Sequence, residues 1–336
     1  MSLFITGAAG FIGGTFTYEA LKEGHTIYGL DNFINSKEDV VEKISNSFRE
    51  SFFFERIDLA NDAKRLNEFM AKSNPDVVVH FAGLKAVGES EEQPITYWDN
   101  NLLGSLNLIK AMKNNKTKNI VFSSSATVYG RSKIQPINED CHLSSMSTYG
   151  STKLSIEYLL NDVSRTGDIN VISLRYFNPV GSHKDKVIFE NPFDSPNNLM
   201  PRIVRVALGI DKEIGIFGSD YPTEDGTGER DYIHIEDLVR GHFHAVDHFK
   251  DFNGFDSFNL GTGNKVSVLK LIEIFAESNK IDIPYRFESK REGDVDICYA
   301  DPSKSNEILN WKAKYSTTEM CIDTWDAIKK NINEAK

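Results

Sequence analysis

The chain has 336 residues, 40% of them hydrophobic and 26% charged, which is ordinary for a globular enzyme of one large or two associated domains. Its formal net charge of -11 argues against a nucleic-acid partner, because no basic face is available to neutralise phosphates. The cysteines are three and widely spaced, and no basic-then-apolar leader or long apolar run is present. These features predict a cytoplasmic protein with neither a disulfide framework nor a membrane segment.

The N-terminal residues predict a strand, Leu3–Thr6, then a glycine-rich turn and a helix that extends to about Glu23. The turn reads GAAGFIG and contains Gly7, Gly10 and Gly13. At a strand-to-helix junction, such glycines let the backbone approach a pyrophosphate, which the free amides and the dipole of the helix stabilise. We therefore predict a dinucleotide site at this turn.

A second strand, Ile27–Leu30, ends in Asp31, which lies 18 residues after Gly13. A carboxylate at this position can accept hydrogen bonds from both hydroxyls of an adenosine ribose and would repel a 2′-phosphate. The predicted cofactor is therefore NAD rather than NADP. A third strand, Phe52–Arg56, is followed by Asp58-Leu59, where an adenine could lie.

The alternation of strands and helices continues with a strand at Val77–His80, a long helix at Ile95–Met112, and strands at Asn119–Ser123 and Val171–Arg175. Continuous apolar strands are typical of parallel sheets that are covered on both faces. This alternation predicts an α/β fold with a doubly wound, parallel, Rossmann-type sheet, whose ligand binds at the carboxyl ends of the strands.

The pattern changes beyond Asn178, where the polar segment 181–197 has no periodicity and predicts a long loop. The elements predicted after it are helices at Leu199–Leu208, Glu236–Phe249, Val266–Ser278 and Thr317–Ile332, and short strands at Ile214–Phe217 and Ser257–Leu260. We interpret residues 179–336 as a smaller α/β substrate domain that follows an NAD-binding domain of residues 1–178. Residues 231–260 are a candidate for return to the first domain.

The stretch Tyr149-Gly-Ser-Thr-Lys153, with Thr148 as a predicted cap, begins an amphipathic helix. Positions four apart lie on one face of a helix, so the phenol and the ammonium point the same way. A phenol titrates near pH ~10 in water, so its use as a base at neutral pH requires that the anion be favoured by about 4 kcal/mol. A cation held close to the phenol supplies this most directly.

Three consecutive serines, Ser123, Ser124 and Ser125, close the fifth strand. Hydroxyls at the carboxyl end of a strand lie where a reacting group would be bound. A polar strand end that satisfies its own backbone is the simpler interpretation for the first two. Ser125 is a catalytic candidate because the Tyr149 helix follows it.

Together, the glycine turn, Asp31, the serine run and the Tyr-x-x-x-Lys helix resemble the extended short-chain dehydrogenases/reductases. More narrowly, the strings HFAGLKAVGES, RYFNPVG, NNLMP, YPTEDGTGERDYIH and REGD resemble those of UDP-glucose 4-epimerases. The similarity runs from residue 3 to about 312, in the family's order and spacing. It implies that bound NAD⁺ takes a hydride from C4 of a UDP-hexose, that the 4-keto sugar turns over, and that the hydride returns to the opposite face.

The resemblance also implies roles for individual residues. Tyr149 would be the base, Ser125 would hydrogen-bond the 4-hydroxyl, and Lys153 would bind the nicotinamide ribose and lower the proton affinity of the tyrosine. The NAD-binding residues would be Gly7, Gly10, Phe11, Ile12, Gly13, Asp31, Asn32, Phe33, Ile34, Asn35, Ser36, Asp58, Leu59, Phe81, Ala82, Gly83, Leu84, Lys85, Asn100, Ser123, Tyr149, Lys153 and Phe177. The residues that bind the UDP-sugar would be Lys85, Ser125, Tyr149, Asn178, Asn198, Leu199, Gly215, Ile216, Phe217, Arg230, Tyr232, Arg291, Asp294 and Cys298.

Two other classes of protein share part of this pattern. Sugar-nucleotide dehydratases and decarboxylases share the fold, the cofactor and the Tyr-Lys pair, but elimination needs a further acid and base. The related dehydratases carry Asp-Glu directly after the serine or threonine, where this chain has Ala126 and Thr127. A catalytically silent NAD-binding regulator is the other alternative, against which the intact Ser125, Tyr149 and Lys153 argue. No metal site is predicted, since His244 and His248 are explained by a solvated helix face.

The resemblance further implies a homodimer, formed through the Ile95–Met112 helix and the Tyr149 helix. The residues expected to offer apolar surface there are Asn101, Leu102, Leu106, Leu108, Leu154, Tyr158 and Leu159.

Cys298 lies four residues after the aspartate of the REGD string, at a position that in the family lines the space around the C2 substituent of the sugar. A thiol in place of the tyrosine of other members leaves room for an acetamido group. We therefore predict activity on UDP-N-acetylglucosamine and UDP-N-acetylgalactosamine as well as on UDP-glucose and UDP-galactose. The alternative is that a neighbour such as Tyr299 fills the space.

Overall fold

The computed structural model of the chain describes residues 1–190, 196–291 and 293–334. In these ranges the strands are β1 (Ser2–Thr6), β2 (Thr26–Asp31), β3 (Phe52–Arg56), β4 (Val77–His80), β5 (Asn119–Ser125), β6 (Asn170–Tyr176), β7 (Asn178–Val180), β8 (Ile214–Phe217), β9 (Glu229–Arg230), β10 (Tyr232–His234), β11 (Phe255–Leu260), β12 (Val266–Ser267), β13 (Tyr285–Glu288) and β14 (Ile297–Cys298).

The α-helices of the same ranges are α1 (Phe11–Lys22), α2 (Glu38–Ser47), α3 (Ala63–Ser73), α4 (Val87–Glu92), α5 (Pro94–Tyr97), α6 (Gly104–Asn114), α7 (Thr148–Ser164), α8 (Leu199–Ala207), α9 (Ile235–His248), α10 (Val268–Asn279), α11 (Ser303–Ile308) and α12 (Thr317–Glu334). A π-helix, Trp98–Leu103, joins α5 to α6, and a 3₁₀ helix, Ala126–Tyr129, follows β5. No helix of the described residues combines the length and the apolar character needed to cross a membrane.

Seven strands form one sheet in the order β11-β6-β5-β4-β1-β2-β3. β1 pairs in parallel with β2 on one side and β4 on the other, and β2 with β3 and β4 with β5 are also parallel. The strand order therefore reverses at β1, which places the switch point of a doubly wound sheet beside the glycine turn. The predicted fold class, an α/β fold with a Rossmann-type parallel sheet, is confirmed.

The chain divides into two compact units. The first contains residues 1–130, 143–175 and 239–258, and the second contains residues 131–142, 176–238 and those from 259 onward. Residues 239–258 thus belong with the N-terminal unit, although they follow a long stretch of the second. The predicted boundary between an NAD-binding domain and a substrate domain at residue 178 stays a prediction.

The core of the first unit lies between the sheet and the helices packed on it. Strand residues such as Phe4, Val78 and Phe122 are fully buried and form one apolar cluster with Leu108 of α6 and Ile156 of α7. The strands are apolar at consecutive positions because helices cover the sheet. Burial of this kind fixes the positions of the strand ends, where the predicted cofactor residues lie.

The second unit is built on smaller sheets. β8 and β13 are parallel, β9 lies between the antiparallel β12 and the parallel β14, and β7 pairs in parallel with β10. Its core is an apolar cluster that includes Val204, Ile216, Leu271, Phe275 and Met320.

Some element predictions were wrong in detail. The long helix predicted at Ile95–Met112 contains the π-helix, and the first two residues of the helix predicted at Val266–Ser278 form β12 instead. The Ser257–Leu260 strand extends from Phe255 and joins the seven-stranded sheet. Of the predicted loop 181–197, residues 181–190 and 196–197 form no helix or strand, and residues 191–195 lie outside the described residues.

Candidate active site

Tyr149 lies in the first turn of α7, and the chain around it shows how that turn is held. The helix begins at Thr148, and its N-cap is Ser147, whose hydroxyl accepts a hydrogen bond from the Gly150 amide at 3.1 Å. The prediction that Thr148 is the cap was therefore wrong by one residue. Thr148 is instead the first helical residue, and its amide donates to Glu91 Oε1 at 2.6 Å.

The Tyr149 side chain is buried against Leu84 and Tyr97. Burial raises the pKa of Tyr149 to about 12, and a hydrogen bond with the Ser125 hydroxyl acts in the opposite direction. The effect of burial is the larger, because the anion is poorly solvated in an apolar environment. Use of this phenol as a base at neutral pH therefore requires a positive charge close to it.

Lys153 lies one helical turn after Tyr149 and is 5% exposed. Its ammonium donates to the Ser123 carbonyl oxygen at 2.7 Å and lies 4.9 Å from the centroid of the Phe122 ring. Burial lowers the pKa of Lys153 to about 8, and the Glu157 carboxylate partly offsets this. The lysine is thus fixed on the end of β5, the strand that carries Ser125.

Glu157, which the sequence analysis did not single out, ties α7 to β6. One of its oxygens accepts from Ser173 Oγ at 2.9 Å and from Arg175 Nε at 3.0 Å, and the other accepts from Arg175 Nη2 at 2.6 Å. Arg175 also donates to the Tyr129 hydroxyl at 3.1 Å. All these groups are buried, so the ion pair anchors the face of α7 that carries Lys153.

The Ser125 hydroxyl oxygen accepts two hydrogen bonds from Thr127, one from its amide at 3.2 Å and one from its hydroxyl at 3.0 Å. With both acceptor positions used, the proton of Ser125 is available for donation to Tyr149. The two preceding serines point elsewhere. Ser123 Oγ lies 3.3 Å from His242 Nε2, and the buried Ser124 Oγ has no hydrogen-bond partner among the described residues, so it does not satisfy the backbone as predicted.

The glycine turn fits a pyrophosphate. Gly7 has φ +72°, and a Cβ there would lie 2.8 Å from the Ala82 amide nitrogen. A Cβ on Gly13 would lie 2.1 Å from the Gly7 carbonyl oxygen. Gly10 is the N-cap of α1 and, in the part of the chain that the structure describes, no side chain caps this helix start. Its first-turn amides can therefore donate to a phosphate.

Asp31 ends β2 beside this turn and fits an adenosine ribose. Its carboxylate is held by the Ala9 amide at 3.0 Å, the Phe33 amide at 2.9 Å and the Ser36 hydroxyl at 2.8 Å. Oδ1 accepts two of these bonds and Oδ2 accepts one, so of the roughly four acceptor positions of the carboxylate one remains, on Oδ2, for a ribose hydroxyl. Asn32, the next residue, donates to Asp58 Oδ2 at 3.2 Å, so predicted residues of two strand ends are brought together.

The loop Phe81–Lys85 is fixed to α7 by Asn101, a residue that was predicted to lie on the surface. Asn101 is 2% exposed, and its side-chain amide pairs with both backbone groups of Leu84, at 2.8 and 3.1 Å. It also donates to Thr152 Oγ1 on α7 at 3.0 Å. Asn101 lies in the π-helix, whose altered turn turns this side chain inward. A uniform helical period gives no signal for it.

Other predicted cofactor residues differ in exposure. Leu59 and Phe177 are buried, at 7% and 5% exposed, and Leu59 packs into the core of the first unit. Asn100 is half-buried in the π-helix. Those at the loop surfaces, Ile34, Asn35 and Lys85, are exposed.

In the second unit, Arg230 and Asp294 form a loose ion pair, with Nη2 3.6 Å from Oδ1. The guanidinium carbon of Arg291 lies 3.7 Å from the centroid of the Phe217 ring. Cys298 pairs in register with Arg230 between β14 and β9 and is half-buried, and burial raises the pKa of its thiol to about 11. The structure thus places Arg230 beside Asp294 and Cys298, and Arg291 against Phe217.

The remaining predicted substrate residues make contacts of their own. Asn178 Nδ2 donates to the Asp231 carbonyl at 3.1 Å, and Asn198 Nδ2 donates to Glu190 Oε1 at 2.6 Å. A Cβ on Gly215 would lie 2.3 Å from Glu288 Oε1. The side chains of Leu199, Ile216 and Tyr232 belong to the apolar core of the second unit or pack against it.

A doubly wound sheet with a glycine turn, an acidic second strand end and a serine beside a Tyr-x-x-x-Lys helix defines an NAD-binding enzyme of the short-chain dehydrogenase/reductase type. The sequence matches the NAD dependent epimerase/dehydratase family over residues 3–261. The chain belongs to that family.

Similar proteins are named more specifically. The chain is 42% identical over 337 residues to the UDP-glucose 4-epimerase of Bacillus subtilis (strain 168), with 100% of this chain and 99% of that protein covered. A UDP-glucose 4-epimerase from Stenotrophomonas maltophila, solved with bound NAD and formylated UDP-arabinopyranose, has a TM-score of 0.95 and 41% identity over 100% of both chains. The Bifidobacterium longum UDP-glucose 4-epimerase in complex with NAD⁺ and UDP has a TM-score of 0.94 and 40% identity, with 99% of each chain covered.

Proposed function

We propose that the protein is an NAD-dependent UDP-hexose 4-epimerase that interconverts UDP-glucose and UDP-galactose. The observation that carries this is the buried Tyr149 in the first turn of α7, with Lys153 one turn along the helix and fixed to the end of the strand that carries Ser125. The full-length similarity to UDP-glucose 4-epimerases supports the same activity. The test is the formation of UDP-glucose from UDP-galactose by the pure protein with NAD⁺.

Tyr149 is proposed to take the proton of the sugar's 4-hydroxyl at its phenolic oxygen and to return it after the sugar has turned. When bound, NAD supplies reversible hydride transfer at C4, and its oxidised form adds a positive charge that favours the tyrosinate. Ser125 donates a hydrogen bond to whichever oxygen carries the negative charge. Thr127 keeps that proton available, because it occupies the acceptor positions of Ser125. Apolar burial of Tyr149 excludes water from the proton transfer.

Elimination or decarboxylation is disfavoured by the residues that follow Ser125. Ala126 has no titratable group, and the hydroxyl of Thr127 is engaged with Ser125 at 3.0 Å. Neither can serve as the additional acid or base that these reactions need. The chain is therefore proposed to oxidise and re-reduce the sugar without breaking another bond.

NAD is proposed to bind the first unit through residues that fit it. The α1 amides after Gly10 would hold the pyrophosphate, Asp31 the adenosine ribose, and Lys153 the nicotinamide ribose. The UDP moiety is proposed to bind residues of the second unit, with Arg230 and Arg291 as the cations that a diphosphate needs on an acidic protein.

The substrate range is proposed to include the N-acetylated UDP-hexoses. Cys298 is half-buried and its small thiol replaces a much larger phenol of other members. Support comes from its register with Arg230, a residue proposed to hold the same substrate.

A homodimer in the cytoplasm is also proposed. Of the residues expected to form its surface, Asn101 and Leu108 are buried at 2% and 0% exposed, so those two predictions were wrong. Tyr158 of α7 is 54% exposed, and Leu103 of the π-helix and Ile95 of α5 are 39% and 75% exposed. Apolar exposure on these helices supports self-association. Sedimentation at micromolar concentration should give a dimer, and Tyr158→Asp with Leu103→Asp should give a monomer.

A further inference from the structure

Arg202 and Arg291 share one aromatic ring in the second unit. Arg202 lies on α8, and its guanidinium carbon is 5.5 Å from the centroid of the Phe217 ring. The guanidinium carbon of Arg291 is 3.7 Å from the same centroid. The charge of Arg291 acts on Arg202, so the two cations repel each other unless an anion lies with them. Nothing in the sequence motifs singled out Arg202.

The carboxylates that act on Arg202, those of Asp211 and Glu288, are engaged with other arginines. Asp211 accepts from Arg205 at 2.6 and 3.0 Å. Glu288 and Glu213 both accept from Arg286, at 2.8 and 2.6 Å. Asp211 and Glu288 therefore act on Arg202 only at a distance, and Arg286 adds a further repulsion.

Within residues 1–190, 196–291 and 293–334, the guanidinium groups of Arg202 and Arg291 make neither a hydrogen bond nor an ion pair. The pKa of Arg202 is lowered, first by partial burial and then by the charge of Arg291. Other arginines of this unit, such as Arg205 and Arg286, have carboxylate partners. Among the described residues, the pair around Phe217 is therefore a local excess of positive charge, in a chain whose net charge is -11.

We propose that Arg202 is a further substrate-binding residue, which forms with Arg291 a two-guanidinium site for the diphosphate of the nucleotide. The inference rests on the proposed function, which assigns Arg291 to the UDP moiety, and it adds Arg202 as a further cation. Guanidinium groups bind phosphate oxygens through paired hydrogen bonds, and the bound anion removes the repulsion between the two cations.

The test is calorimetric binding of UDP and of uridine to the full chain with NAD⁺, for wild type and Arg202→Gln. Loss of a hydrogen bond to a charged group should weaken UDP binding about 10- to 100-fold. Uridine has no phosphate, so its affinity should not change. Arg202→Lys keeps the charge but lacks the paired donors, so its affinity for UDP should lie between those of wild type and Arg202→Gln.

Arg205→Gln is the matched control, since it removes the same charge from the same helix at an arginine already paired with Asp211. Its affinity for UDP should stay within about twofold of wild type. An Arg202→Gln protein that melts like wild type and binds UDP normally would overturn the proposal. An equal loss of affinity for uridine in Arg202→Gln would also overturn the proposal, because Arg202 would then contact the base rather than the diphosphate. Wild-type turnover of UDP-galactose is measured separately, so failure of the proposed function is distinguishable from failure of this site.

Discussion

The buried hydroxyl of Ser90 accepts a hydrogen bond from the backbone amide of Tyr149 at 3.1 Å and donates to the Val87 carbonyl at 2.6 Å. Together with Glu91, which accepts from the Thr148 amide, it satisfies the first two amides of α7, which have no partner within the helix. Both residues lie on α4. This short helix therefore sets the position of the first turn of α7 and, with it, of the Tyr149 phenol.

Replacement of this hydroxyl should impair the reaction more than the fold. Ser90→Ala leaves the Tyr149 amide buried and unpaired, at a cost of about 1–3 kcal/mol, and lets the first turn shift. We expect kcat to fall roughly 10-fold or more, because small displacements of a reacting group reduce rates strongly. The Ser90→Thr protein keeps the hydroxyl and should recover most of the activity. Steady-state kinetics and thermal melting measure the two effects.

Ser147→Ala is the control for Ser90→Ala. It removes another cap of the same helix, at a cost of about 1 kcal/mol, but leaves the Tyr149 amide with its partner. If both variants lose kcat in proportion to their loss of stability, Ser90 acts only on the stability of α7.

Tyr149→Phe should abolish turnover while NAD binding survives, since the ring packing against Leu84 and Tyr97 remains. Loss of a general acid–base group costs about 10²–10⁴ in rate. Tyr158→Phe is the matched control: it removes a hydroxyl from the exposed face of α7 and should leave the rate of turnover unchanged. Near-normal turnover by Tyr149→Phe, measured beside NAD binding by fluorescence, would make Ser125 or a water the base.

The charge of Lys153 should set the alkaline limit of activity. Burial lowers its pKa to about 8, so the charged form is lost as the pH rises through that value, and kcat/KM should decline there. Glu157 raises this pKa, so Glu157→Gln should move the decline to lower pH. The amide oxygen of glutamine can still accept from Ser173 and Arg175 Nε, but its amide nitrogen cannot accept from Arg175 Nη2, so the pH profile is measured at a temperature where the variant is shown to be folded. An unchanged alkaline limb in a folded Glu157→Gln protein would show that Lys153 does not control it.

Local patterns were enough to predict the strands, the glycine turn, Asp31 and the Tyr149 helix, because each rests on residues close together in sequence. The groups that hold these parts were not predictable in the same way. Ser90 and Glu157 meet their partners only after the chain has folded. Asn101 was assigned to the surface because a regular helix was assumed, whereas the π-helix turns it inward. Sequence periodicity does not report such a local change of helical turn.

The thiol of Cys298 should decide substrate range. Wild type should convert UDP-N-acetylgalactosamine as well as UDP-galactose, and Cys298→Tyr should lose only the first activity, because a phenol fills the volume of the acetamido group. Cys298→Ala, which is also small, should keep both. A wild type that ignores the acetamido sugars contradicts the prediction. If Cys298→Tyr still accepts them, another residue sets the limit.

The proposed mechanism oxidises and re-reduces C4 without exchange of its hydrogen with water. The measurement is incubation of the pure protein and NAD⁺ with UDP-galactose that carries deuterium at C4, followed by chromatography and mass spectrometry of the nucleotide sugars. We expect UDP-glucose that retains the deuterium at C4, and no dehydrated or decarboxylated product. Absence of UDP-glucose, or UDP-glucose that has lost the label to solvent, would exclude this mechanism.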